Sequence, residues 1–358
     1  MLKKAAALLL VCASTAISLS CVTNSNHYVY AAVPNLNEIL AYREDPNSGV
    51  LTQLAFSPFT AGQSVESIVV HPSNKFLYAA NAGEGDVSLF TIANGILTEQ
   101  FPRMKVGVAP NLLAMDAAGS TLYVADVATN SITLLSIDAS TGVLSTSGSP
   151  VTIGTTPLNM KVSPSGIIYV TGSTGTGTTS QGVIEVWNLT AQSPLVQLIQ
   201  TGGLAPQGLA ITPMGGFLYI GNFQSNTISG FSIGSDGSLT GLSGFPLAEA
   251  YSGPINLLVD NSGKFLYVAN KTSGNVAGYN IGAGGGLTLL SDSPFAAGTG
   301  TSFIASDPNG KHLVVGTQGS TTAGSQLLPF SLDTGSGTLA PVTTYNLGNA
   351  PSSIVVSE

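Results

Sequence analysis

The chain has little charge, almost no cysteine and few histidines. Charged residues are 8% of its 358, with 10 Lys and Arg against 18 Asp and Glu, and there are three His and one Trp. The only two cysteines, Cys12 and Cys21, both lie in the N-terminal segment. No internal disulfide is therefore expected to brace the body of the chain, and stability must come from burial and sheet closure. No helix-period apolar pattern follows that segment, which argues against a helical fold. Without Lys3 and Lys4 the remainder carries 8 basic against 18 acidic residues, a net charge of −10. Such a surface repels nucleic acid and anionic lipid, so nucleic-acid binding is disfavoured and membrane contact is expected only through an N-terminal lipid anchor. His27, His71 and His312 show no metal-type spacing, and no EF-hand-like loop is present. Neither a metal site nor a cofactor is expected.

The N-terminus reads as an export signal. Lys3 and Lys4 precede an apolar run over residues 5–16, too short to remain as a membrane span. Cys21 follows the small residue Ser20, the arrangement of a bacterial lipoprotein signal in which that cysteine is lipidated. Ordinary secretion is the alternative, because Ser18 stands where such signals usually carry Leu. The expected organisation is a leader over residues 1–20, a short linker over 21–26 and one domain over 27–358. The expected location is the periplasm, the outer membrane or the extracellular space.

What the chain has in abundance is a repeat. A tyrosine-centred apolar run recurs at Tyr30, Tyr78, Tyr123, Tyr169, Tyr219 and Tyr267, and at Val314 in the last copy, with spacings of 48, 45, 46, 50, 48 and 47 residues. Each copy carries four strand-like runs: one after a Pro or small-residue turn, the Tyr run, an alternating run such as residues 276–281, and a weak outer run after Gly-x-Leu, as at Gly95, Gly142, Gly237 and Gly337. A fixed period of this length with four strands per copy predicts an all-β, seven-bladed β-propeller with four-stranded antiparallel blades. The first copy lacks its innermost strand. Residues 350–356 match the start of a repeat, so the C-terminal strand is predicted to pair with residues 28–32 and close the ring. One domain and a monomer are expected.

The side chains that recur in loops read as structural. Asn81, Asn222, Asn270 and Asp126 end the second strands, and Asp86, Asn130, Asn226 and Asn275 precede the third. Repetition at equivalent positions points to Asx turns that cap their own loops. Gly-rich stretches over residues 172–177 and 282–286 lack the Lys-Ser/Thr ending of a phosphate loop and read as hairpin loops. The first, together with residues 316–325, is long for its position, and long loops are where a propeller acquires specificity. Trp187 replaces the Phe or Tyr of other third strands and reads as core.

The run from Pro254 to Asn270, with Gly263-Lys-Phe-Leu-Tyr267-Val-Ala-Asn270 at its heart, resembles the seven-bladed lactonase propellers, which include 6-phosphogluconolactonase-type and carboxymuconate-lactonising enzymes. It is also similar to YVTN-repeat surface propellers, through Tyr169-Val-Thr-Gly172. The resemblance spans residues 27–358. It implies a charged site of His, Arg and Glu at the mouth of the central channel. Here Asn111 stands where a His is implied, Leu158-Asn159 where an Arg-His pair is, Thr171-Gly172-Ser173 where a Glu is, and Asn222-Phe223 where an Arg is. Asp126 does fit the family's aspartate after the third blade's tyrosine strand.

Two functions follow. The favoured one is an exported binding or scaffold propeller for a carbohydrate, peptide or protein, with an uncharged mouth built by Asn111, Asn159, Gln207, Asn256 and Ser352, whose amides and hydroxyl suit sugar hydroxyls. The alternative is a lactone hydrolase, 6-phosphogluconolactonase-like but of altered specificity, with Asp126 as the candidate catalytic residue.

Overall fold

The computed structural model describes residues 26–175, 180–189, 194–320 and 324–358. The leader and Cys21 lie outside these residues, as do parts of the two long loops at 176–177 and 321–323. The described residues form strands and turns and no helix. They make seven separate antiparallel sheets, one per repeat. The sixth blade shows the pattern: Pro254–Val259, Phe265–Asn270, Asn275–Ile281 and Leu287–Leu289 follow one another outward from the axis. The ring closes as the sequence predicts. Ser353–Ser357 becomes the innermost strand of the first blade beside His27–Val33, with Tyr30 opposite Val355 and Ala31 opposite Ile354.

The second strands are buried along most of their length, and all six residues of Phe76–Asn81, Phe265–Asn270 and His312–Thr317 are buried. A blade packs between two neighbours, so its central strands bury both faces and read as continuous apolar runs rather than alternating ones. The cores lie between blades. One joins Phe265, Tyr267 and Val276 of the sixth blade to Leu313, Phe330 and Leu339 of the seventh. The outer edge is weak, as expected. In five blades it is split into two short strands that pair with opposite ends of the third strand, as Leu51–Gln53 and Phe59–Thr60 do on Glu38–Glu44. A broken edge offers no long template for a neighbouring chain.

Five of the repeating tyrosines latch their blade to the next. Tyr78 Oη donates to the Gly142 carbonyl at 2.8 Å, Tyr169 to Gly237 at 2.8 Å, Tyr219 to Gly285 at 2.7 Å, Tyr267 to Gly337 at 2.7 Å and Tyr30 to Gly95 at 3.2 Å. Burial raises these hydroxyl pKa values, so they stay protonated as donors. Glycine is needed at the receiving turn on two counts at Gly337: its φ is +80°, and a Cβ would lie 2.6 Å from the Phe265 ring. The Gly-x-Leu signature of the outer run is thus the acceptor half of the latch. The seam between the seventh and first blades has no such bond, because Val314 replaces the tyrosine.

Tyr267→Phe leaves the buried Gly337 carbonyl unpaired. It should lower the free energy of unfolding by about 1–3 kcal/mol, read as a lower urea midpoint at unchanged slope. An unchanged midpoint would remove the latch as a source of stability.

Candidate functional site

The innermost strands present their free edges to the ring axis, where they enclose a cavity of about 450 Å³. All five residues expected at the mouth line it: Asn111, Asn159, Gln207, Asn256 and Ser352. Ser67, Ser302 and Ser353 add hydroxyls to the wall. Some of this polarity is used to tie the strands together. Ser353 Oγ accepts from the Ile68 amide at 3.3 Å and Ser67 Oγ from the Leu113 amide at 3.2 Å, each across a blade boundary. Asn159 donates to the Gln207 carbonyl at 2.6 Å, and Ser352 to the Val65 carbonyl at 2.7 Å. Asn111 differs: its side-chain oxygen is buried with no partner.

The channel is not uncharged, which corrects the sequence expectation. Glu66 and Lys161 both line it. Glu66 holds the position in the second blade that Asn111 holds in the third. It escapes the sequence pattern because Val65 stands in place of the leading proline. Lys161 lies deeper, opposite Tyr169 in the strand register. Its side chain is exposed to the cavity, and the surrounding protein lowers its pKa through partial desolvation. Burial likewise raises the Glu66 carboxyl. Arg103, by contrast, sits on an outer strand, paired with Glu84 and with Glu99 at 2.7 Å.

Asp126 is committed to the backbone. It is 2% exposed, and its carboxylate accepts from the amides of Val108 at 2.6 Å, Ala109 at 3.0 Å, Ala128 at 2.9 Å and Thr129 at 3.0 Å. Burial alone would raise its pKa, but the four hydrogen bonds outweigh burial and hold the carboxyl below the usual range. The equivalent asparagines do similar work: Asn81 donates to Asp86 and Ser88 at 2.9 Å each, and Asn222 donates to Thr227 at 3.0 Å and Ser229 at 2.8 Å. Asn130 and Asn226 adopt φ of 47° and 53°, as Asx-type turns allow. One loop carboxyl is unlike the rest. Glu249 is buried, accepts from Tyr279 Oη at 2.7 Å, and is pushed up to about 7 by burial.

The histidines also depart from the sequence reading. His71 bonds the Gly119 carbonyl of the next blade at 2.9 Å. His27 and His312, far apart in sequence, meet at the closing seam with Glu44 and Asp307. The expectation of no metal site rested on sequence spacing, which cannot see a cluster made by ring closure.

Asp126→Asn places an amide against four N–H donors. It should destabilise the fold by about 1.5–3 kcal/mol, measured by urea unfolding at neutral pH. The folded-state pKa is depressed, so this stabilisation is present above the ordinary aspartate range and is lost as pH falls through the folded value. The Asn variant should lack that acid-side loss; an unchanged stability–pH curve would remove the clamp.

The comparisons with known proteins agree on one family. A family model described as "Lactonase, 7-bladed beta-propeller" matches residues 21–158 and 248–356. The 6-phosphogluconolactonase of Enterobacter sp. (strain 638) is 27% identical over 252 residues, covering 67% of this chain and 73% of that protein. The 6-phosphogluconolactonase of Klebsiella pneumoniae (strain 342) is 25% identical over 253 residues, covering 66% and 72%. The solved structure of the periplasmic gluconolactonase of Pseudomonas aeruginosa superposes with a TM-score of 0.76 at 18% identity, covering 93% of this chain and 99% of that one. With seven closed blades and more than half its length matched, this chain belongs to the seven-bladed β-propeller lactonase family.

Proposed function

We propose that the protein hydrolyses a neutral sugar lactone in the axial cavity. The observation that carries this reading is that one cavity is lined by a carboxyl, Glu66, whose pKa burial raises, by an ammonium, Lys161, whose pKa burial lowers, and by several amides and hydroxyls. Lactone opening needs a base to activate water and a positive or donor group for the developing oxyanion. In this reading Glu66 takes a proton from water as the hydroxyl adds to the lactone carbonyl. Lys161 and the cavity amides stabilise the oxyanion. The ring C–O bond then breaks, and its oxygen recovers the proton from Glu66, giving the hydroxy acid. A phosphorylated substrate would call for guanidinium groups, and Lys161 is the one cation among the described residues that line the cavity. Family membership weighs in the same direction, since the relatives matched by sequence are named for lactone hydrolysis.

A binding role for a carbohydrate, peptide or protein is the second reading, favoured by the amides and hydroxyls of Asn111, Asn159, Gln207, Asn256 and Ser352 that line the cavity. A panel of neutral and phosphorylated sugar lactones separates the two. The purified protein should turn over neutral lactones, and Glu66→Gln should lower kcat/KM by roughly 100-fold or more. The wild-type rate should rise with pH through a value above the ordinary glutamate range. Full activity in Glu66→Gln would remove Glu66 from the mechanism. No turnover of any lactone would leave the binding reading.

We also propose that the chain is exported and lipidated at Cys21. The leader's basic and apolar composition supports this, as does the periplasmic gluconolactonase among the structural neighbours. Cys21→Ser should move the protein from the membrane fraction to the soluble fraction; equal membrane association of the two would refute the anchor.

A further inference from the structure

At six blades the third strand places an aliphatic residue three positions beyond the one facing the tyrosine or its equivalent: Ile92, Ile137, Leu189, Ile233, Ile281 and Leu332. The first blade alone places a carboxylate there, Glu44. Across the seam, the residue two before the tyrosine position is Phe76, Phe217 or Phe265 in three blades, Tyr28, Thr121 or Ile167 in three others, and His312 in the seventh. His27 and Asp307 complete the group. All four are buried, at 1% exposure for His27, 0% for Glu44, 1% for Asp307 and 2% for His312. Apolar packing has been exchanged for four ionisable side chains at one interface.

These side chains do not satisfy one another. His27 Nδ1, both Glu44 oxygens, Asp307 Oδ2 and His312 Nδ1 are all buried without a hydrogen-bond partner. They nevertheless converge. His27 Nδ1 lies 3.6 Å from Glu44 Oε2 and 3.4 Å from Asp307 Oδ2, and His312 Nδ1 lies 3.5 Å from Glu44 Oε1 and 3.6 Å from Asp307 Oδ2. The donor atoms of His27, Glu44 and Asp307 lie within 4.8 Å of one another, and His312 joins this group from one side only, through Glu44 Oε1 and Asp307 Oδ2. Hydrogen-bonded pairs would close to about 2.7–3.0 Å. Donors held at 2.0–2.2 Å from a common tetrahedral centre are instead roughly 3.3–3.6 Å apart. Burial and Asp307 push the Glu44 carboxyl up to about 7, so two carboxyls side by side here are relieved either by a proton on Glu44 or by a cation between them.

The outer contacts fit the same purpose. Asp307 Oδ1 accepts from the amides of Lys311 at 2.7 Å and His312 at 2.9 Å, which leaves Oδ2 aimed inward. The Asn309 amide lies 3.1 Å from His27 Nε2. The atom at that distance is the amide nitrogen, a donor; ligation through Nδ1 requires the flipped amide, whose oxygen would take the Nε2 proton and leave the Nδ1 lone pair facing the cluster. Two neutral imidazoles and two carboxylates balance a divalent ion. The geometry points to a structural zinc-type site, which we propose is formed by His27, Glu44, Asp307 and His312 and staples the closing seam of the ring. It occupies the one blade boundary where valine has replaced the latching tyrosine.

The test uses the purified chain, stripped by chelator and titrated with Zn²⁺ or Co²⁺. One metal ion per chain should bind, Co²⁺ should give the visible absorption of a four-coordinate site, and the thermal midpoint should rise with metal and fall with chelator. The double variant Glu44→Ile/His312→Phe introduces residues found at other seams and should fold without metal. Its affinity should drop by more than the roughly 10–100-fold that a change behind the ligands produces. Absence of saturable binding of either ion to the wild type, or equal binding by the folded double variant, would overturn the site.

Discussion

The hydroxyl-to-carbonyl bond between neighbouring blades is the constraint on which the ring depends. Side-chain packing between sheets is attractive but tolerant of sliding. A buried donor aimed at a single carbonyl is not, because a slip leaves both groups unpaired. The tyrosine must therefore sit at one position of the second strand, and the receiving turn must expose its carbonyl and approach without a side chain. Those two demands produce the period. The Tyr run and the Gly-x-Leu run recur together because each is half of one contact in the next blade.

What the sequence made legible follows from this. Blade count, strand order and ring closure were readable because each copy repeats the same contact. The mouth residues Asn111, Asn159, Gln207, Asn256 and Ser352 were readable because a proline introduces their strands. Glu66 was not, since Val65 interrupts that cue, and Lys161 lies one layer below the positions the cue marks. The role of Asp126 was hidden for another reason. A carboxylate that binds backbone amides leaves no partner side chain to find, so its fit to a family position looked like chemistry.

The seam carries the opposite lesson. In a repeat, an odd residue is informative only against its equivalents in the other copies. Glu44 among isoleucines and leucines, and His312 where no other copy carries an ionisable imidazole, mark one interface as different. Their meeting depends on residues at the two ends of the chain becoming neighbours, which no local spacing encodes. The channel and the seam thus use charge in separate ways. In the channel, single charges are kept apart in an enclosed space where each is more reactive than in water. At the seam, opposing demands of burial and charge are concentrated at one point.

The direction in which the chain enters the ring has a consequence for orientation. His27 begins a second strand, so it lies at the end of the blade opposite the starts of the innermost strands, where Glu66 and Asn111 stand. Five residues, 22–26, lie between Cys21 and His27, a reach of about 20 Å if extended. A body held through those residues is held by its back. If the proposed anchor at Cys21 holds, the axial opening faces away from the surface it joins, free to meet solutes arriving from the other side.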